Sequence, residues 1–214
     1  YGLPPVRVTF PEGVTVREVA AQIEGAFPGI RAADFLAEAQ QYEGYLFPDT
    51  YLFPPSSDAA SIVALMRENF NTKITTLSGE ISASGRSLSD IVTMASLVER
   101  EARRSESKRM VAGILFNRLK IGMPLQVDAV FGYIFGRDTY SPSFADLKVD
   151  SPYNTYLHKG LPPGPIANPG LDSLQAVLNS TKTNYLYYIT GKDNLMHYAT
   201  TYAGHQDNRK KYLD

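Results

Sequence analysis

The sequence predicts an α+β fold, mainly helical, built as two unequal units. Three observations carry that expectation. Apolar residues recur at helical spacing over Asp58–Lys73, where Ile62, Leu65, Met66 and Phe70 share a face, and again over Leu88–Arg104. Two strand-like runs near the C-terminus, YLYYIT at Tyr185–Thr190 and LMHYAT at Leu195–Thr200, flank Gly191–Asn194 and read as a β-hairpin. Between helices and hairpin, Ser151–Gly170 holds five prolines and three glycines in twenty residues, which describes a long structured loop.

In chain order, VRVTF at Val6–Phe10 alternates like a strand, and Pro11–Gly13 turns it into a helical stretch from Val14 to about Ile23. Phe35–Gln40 continues the helical character, and an aromatic, Pro-containing segment, YEGYLFPDTYLFPP, precedes the Asp58–Lys73 helix. Residues 74–86 are rich in Ser, Thr and Gly, which predicts a linker or long loop and a unit boundary nearby. Ser87-x-x-Asp90 then caps a helix through about Arg104. A further helix follows from about Ser107 to Lys120, stopped by Gly122 and Pro124. Asp128–Phe135 reads as a short helix. Past the loop, Asp172-x-x-Gln175 caps a helix to about Asn179, and a last helix starts near Tyr202.

Composition narrows the functional class. With 21 Lys+Arg against 22 Asp+Glu the net charge is −1, so no positive field draws the chain to nucleic acid or anionic lipid. The absence of cysteine removes disulfides and thiolate metal sites. His158, His197 and His205 lack a compact ligand spacing, so no zinc site is expected. No G-x-S-x-G elbow or phosphate-binding loop of the P-loop type is present. No apolar run is long enough to span a bilayer.

One helix stands out chemically. On a wheel of 100° per residue, Leu88, Val92, Met94, Ala95, Leu97, Val98 and Ala102 cover more than half the circumference of Leu88–Arg104. Ser89, Thr93, Ser96, Arg100 and Arg103 form the polar stripe. Glu99 and Glu101 fall within the apolar arc, Glu99 between Leu88 and Val92 and Glu101 between Met94 and Leu97. Apolar surroundings and the negative end of a helix both disfavour a charged carboxylate, and a carboxylic acid is what protonates a poor alkoxide leaving group. Plain ion pairs, commoner than catalytic acids, fit the same pattern: Glu99 with Arg103, or Glu101 with a basic residue of the next helix.

Four segments, in this order, resemble the MltG (YceG-like) endolytic murein transglycosylases: YEGYLFPDTY at Tyr42–Tyr51, ASLVEREA at Ala95–Ala102, NRLKIGMPLQVD at Asn117–Asp128, and SPYNTYLHKGLPPGPIANPG at Ser151–Gly170. The similarity runs from about Val6 to the C-terminus. It implies that Glu99 is the catalytic acid and base, with Glu101 beside it. Gln126, Asp128, Tyr153, Asn154, Thr155 and Tyr156 would build the substrate cleft, with Gly160–Ile166 as its wall. It also implies that residues 81–214 are the catalytic domain and residues 1–80 a truncated remnant of a LysM-like region with its junction. By the same likeness the full-length protein is anchored by one membrane span and faces outward from the bacterial cytoplasmic membrane. Its substrate is the peptidoglycan glycan strand, and peptidoglycan synthases are candidate partners, acting alone being the alternative.

The reaction this implies cleaves the bond between N-acetylmuramic acid and N-acetylglucosamine without water, leaves a 1,6-anhydro end and requires no metal or organic cofactor. Two other readings fit the same residues. One is a glycoside hydrolase in which Glu99 is the acid and Asp128 the base or nucleophile. The other is a non-catalytic glycan-binding module whose platform is Tyr153, Tyr156 and the Pro-rich loop. For Asp128 an N-cap role over Ala129–Phe135 is the simpler alternative.

Overall fold

A computed structural model describes residues 3–137 and 141–213. It is mainly helical with two small antiparallel sheets. The first unit opens with β1 (Val6–Thr9), then α1 (Val16–Ala26) and α2 (Ala32–Ala39). Thr15 and Glu18 form a capping box at the start of α1, each side chain taking the other's backbone N–H. β2 (Thr50–Phe53) pairs with β1, placing Val6 opposite Phe53 and Val8 opposite Tyr51. That strand lies within the aromatic segment for which no strand was predicted. At four residues it is too short to announce itself, and its partner lies more than forty residues back.

α3 (Ala59–Thr76) is capped by Asp58 and runs almost directly into α4 (Ser78–Ser84). The linker expected over residues 74–86 is therefore helical for most of its length. Leu77 is buried there, and Ile74 and Ile81 pack beside it on the core of the second unit, so three apolar residues at helical spacing outweigh the polar composition. The cores also hand over inside α3: Ile62, Val63 and Met66 belong to the first and Phe70 to the second.

The second unit centres on α5 (Leu88–Glu101), whose residues Ile91 to Val98 are all buried. Thr93 and Ser96 of the expected polar stripe are among them. The Ser96 hydroxyl donates to Thr93 O and accepts from Ile166 N–H, so the irregular segment covers that face. α5 ends three residues earlier than expected because Ala102 is extended, and α6 (Ser105–Lys120) turns back beside it. α7 (Ala129–Phe135) follows, then the irregular segment, then α8 (Leu171–Leu178), which packs on both α5 and α6. Gly170, not Asp172, is the N-cap of α8; Asp172 lies in its first turn. The hairpin β3 (Tyr187–Thr190) and β4 (Met196–Ala199) is antiparallel and is backed by α9 (Tyr202–Tyr212).

Residues 151–170 contain no regular element, yet they are tied down at several points. Asn168 is fully buried: its N–H and side-chain amide donate to Val14 O, its Oδ1 accepts from Leu46 N–H, and its own carbonyl accepts from Gly13 N–H. Gly44 makes the close approach possible. With φ +84° it sits where a Cβ would come within 2.5 Å of Pro165. Motifs more than a hundred residues apart thus lock the two units against each other.

Candidate active site

Two glutamates of α5 diverge in their partners. Glu99 accepts from Lys108 Nζ at 2.8 Å on Oε1 and from Gly170 N–H at 2.9 Å on Oε2. The Glu99 and Lys108 side chains are only 8% and 7% exposed, and Lys108 also reaches Asp172 at 3.3 Å. The expected partner, Arg103, is not the one chosen; it is exposed, whereas Lys108 of α6 is buried at the helix interface.

Glu101 closes the last turn of α5 on the other side. Tyr188 donates its hydroxyl to Oε2 at 2.8 Å. Burial pushes the carboxyl up to about 7; the Asp128 charge acts in the same direction, while the Tyr188 hydroxyl, the Ala129 N–H and the Arg118 guanidinium oppose it. Arg118 is itself buried, donating to Leu186 O at 2.7 Å and to Leu125 O, with its guanidinium over the rings of Tyr187 and Tyr188.

Three clefts meet at Glu101. One of about 790 Å³ is lined by Arg118, Gln126, Asp128, Tyr156 and Tyr188 with it; one of about 800 Å³ runs along Arg103, Ser107 and the hairpin; one of about 590 Å³ passes Glu12, Glu99 and Asp128. Among the described residues Glu101 is the side chain common to all three. Tyr187 stacks on His205 along one wall of the first, with Tyr202 tilted against both.

The predicted cleft residues divide into two groups. In the run LQVD, Leu125 and Val127 are buried while Gln126 and Asp128 face the cleft, an alternation that the sequence displays. Tyr156 joins them, its hydroxyl donating to Asp128 Oδ1. Asn154 and Thr155, also expected in the cleft, are buried. Asn154 Nδ2 donates to Leu147 O and Val149 O, and Thr155 Oγ1 accepts from Val127 N–H. Thr155 thus holds the LQVD segment and Asn154 the segment 147–149, since a buried amide or hydroxyl without partners is costly. Tyr153 turns away from this cleft and packs its ring on Tyr133, with centroids 5.0 Å apart. Asp128 precedes α7 but makes no capping bond.

Lys108, Arg118 and Tyr188 were not singled out by the sequence. Lys108 shares an i, i+3, i+4, i+7 face with Val111, Ala112 and Leu115, and a lysine on a buried face is the signal that would have found it. Arg118 lay within a quoted motif, but nothing in its spacing points to the hairpin it holds. Among the described residues no group of three or more His, Asp or Glu could hold a metal ion, and no helix is long and apolar enough to cross a membrane.

The YceG-like family model matches residues 2–211. The chain belongs to the YceG-like family. An endolytic murein transglycosylase of Bacillus subtilis is 38% identical over 172 residues, covering 80% of this chain and 48% of its own length. One from Streptococcus pneumoniae is 29% identical, covering 97% of this chain and 44% of its own length. A crystal structure of a YceG-like protein from Listeria monocytogenes superposes with a TM-score of 0.89 at 31% identity, over 96% of this chain and 76% of that one. The YceG-like chain thus spans about half the length of the curated relatives it matches.

Proposed function

We propose that this chain carries the catalytic centre of an endolytic murein transglycosylase and that Glu101, not Glu99, is its acid and base. The observation that carries the reading is the position of Glu101, half-buried where three clefts converge, with a carboxyl that keeps its proton to about pH 7. Such a group is matched to protonating a leaving oxygen near neutral pH. Glu99 is supported less well, because both of its oxygens are occupied and it stands in a salt bridge to a buried lysine. The relatives named as murein transglycosylases supply the substrate class.

In the proposed reaction Glu101 gives its proton to the oxygen between N-acetylmuramic acid and N-acetylglucosamine. The bond from that oxygen to the muramyl C1 breaks, and the 2-acetamido group supports the oxocarbenium-like centre. The Glu101 carboxylate then takes the proton of the muramyl 6-hydroxyl as O6 closes on C1. A 1,6-anhydro ring results, no water is consumed, and Glu101 is left protonated. Asp128, held by Tyr156, adds negative charge that favours the developing cation. Gln126 and the wall of Tyr187 and Tyr202 suit hydroxyls and sugar faces. This reading puts the chain at the outer face of the cytoplasmic membrane, where peptidoglycan synthases lay down the strand.

Digestion of purified sacculi, with products resolved by mass spectrometry, tests class and residue together. The expected products end in anhydro-muramyl sugars, one water lighter than hydrolytic ends, and they vanish for Glu101→Gln while its melting curve stays cooperative. Hydrolytic ends would replace the transglycosylase with a hydrolase using Asp128. Full activity in Glu101→Gln, with a dead but folded Glu99→Gln, would return the role to Glu99.

A further inference from the structure

A cavity of about 430 Å³ lies between the two units, outside the three clefts at Glu101. Its walls come from α1, the end of α2, Glu43, the end of α5 and α7. The proposed chemistry uses none of its charged groups. We propose that this cavity is a second binding site, for the peptide stem carried by the muramyl sugars of the strand being cut: a short peptide with several carboxylates and a free amino group. The proposal rests on the glycan-cleaving reading above and names a further part of the same substrate.

Charge and placement support it. Three guanidinium-bearing residues, Arg17, Arg100 and Arg137, line the cavity together with the carboxyls of Glu43 and Glu18. A neutral sugar needs neither set, and a simple inorganic anion needs no carboxyls, whereas a peptide carrying both signs of charge uses both. The apolar part, Leu36, Tyr133 and Ile166, suits short aliphatic side chains.

Two of these groups are held in place. The Arg17 guanidinium lies against the bare face of Gly136, where a Cβ would fall 1.9 Å from Nη1, so this glycine gives the cation its seat. Both oxygens of Glu43 accept from Val16 N–H, at 3.1 and 3.2 Å, which fixes the carboxyl at the cavity wall. Burial pushes that carboxyl up to about 7. Glu43 also belongs to the YEGYLFPDTY motif, to which the proposed reaction assigns no part.

Continuity with the active site supplies the second argument. Arg100, Ala129 and Gly132 line both this cavity and the cleft that contains Glu99, Glu101 and Asp128. Arg100 is steadied there by a bond from Nη1 to Gly13 O at 3.2 Å. A strand threaded past Glu101 has its muramyl side branch on one flank, and the Arg100 wall leads from that flank into the cavity.

Steady-state cleavage by the whole chain of two substrates tests this: glycan strands bearing their peptides, and the same strands stripped by an amidase. Wild-type protein should favour the peptide-bearing strands by at least ~10-fold in kcat/KM, since one charge-assisted contact is worth roughly that. Arg17→Ala should remove most of the preference by raising KM on peptide-bearing strands, with kcat little changed, and Arg17→Lys should restore part of it. Gln41→Glu, an exposed change at the cavity rim, should act in the same direction by repelling carboxylates and guards against misfolding of the first variant. Equal wild-type rates on both substrates, or a preference untouched in both Arg17→Ala and Gln41→Glu, overturns the stem site and leaves the transglycosylase reading standing. Failure of wild-type protein to cut either strand, or cleavage to hydrolytic ends, overturns that reading instead.

Discussion

Glu99 and Glu101 are two residues apart on one helix, so their side chains leave it roughly 200° apart. Glu99 enters the interface of α5 with α6 and α8, where a lysine and a backbone N–H meet its two oxygens. Glu101 enters the cleft floor, where a tyrosine hydroxyl takes one oxygen and burial raises the proton affinity. Both sit in apolar surroundings, as the helical wheel predicts, yet burial alone does not make an acid. The donors differ: Glu99 meets a lysine ammonium at 2.8 Å, whereas Glu101 meets a neutral hydroxyl, and on the reading proposed above its proton serves the transfer.

The contrast is tested most severely at Glu101. Glu101→Gln should lower the release of anhydro-muropeptides from sacculi by at least ~10²-fold, and by ~10⁴-fold or more if both proton transfers depend on it. Its thermal stability should stay the same or rise, because a neutral amide replaces a carboxyl that burial disfavours when charged.

Glu99→Gln should do the reverse. It leaves Lys108 buried beside a neutral amide, so stability to denaturant should fall by about 3 kcal/mol, the low end for a broken buried pair because Asp172 remains at 3.3 Å. Activity per folded molecule should survive, since the loss is architectural. A stable but inactive Glu99→Gln would collapse the distinction.

Protonation separates the folded from the unfolded chain at Glu43 as well. Its carboxyl is raised to about 7 in the fold from an ordinary value near 4.5, so the folded state holds the proton that the unfolded state has released. Its contribution to stability is therefore full below about pH 4.5 and is lost as pH rises towards 7. Urea titrations at pH 5 and pH 8 should show the wild type losing on the order of 1–3 kcal/mol more than Glu43→Gln across that interval.

Tyr188→Phe should have the smallest effect. Rates should decline as pH rises through about 7, where Glu101 loses its proton. Removing a hydroxyl that favours the carboxylate raises that pKa further, so the decline should move to higher pH by about one unit, equivalent to ~1.4 kcal/mol. An unmoved pH–rate profile in Tyr188→Phe would break the link between this tyrosine and the acid.

By itself the sequence determined most of the helices and the C-terminal hairpin, because periodicity and turn chemistry are local, and the resemblance of its motifs named the residues from which the site is drawn. It marked the α5 pair as acids in apolar surroundings, and the family resemblance named Gln126 and Asp128 as cleft residues. The partners were another matter. Lys108 reaches Glu99 from the next helix, Gly170 from 71 residues away and Tyr188 reaches Glu101 from 87 residues away. Asn154 and Thr155 read as cleft residues within their motif, yet their side chains serve the backbone of neighbouring segments. Residues 74–86 read as linker until Leu77 and Ile81 found the second core. Each of these was decided by tertiary packing, because the proton affinity of a carboxyl and the burial of a polar side chain depend on the atoms brought against them, and those come from distant parts of the chain.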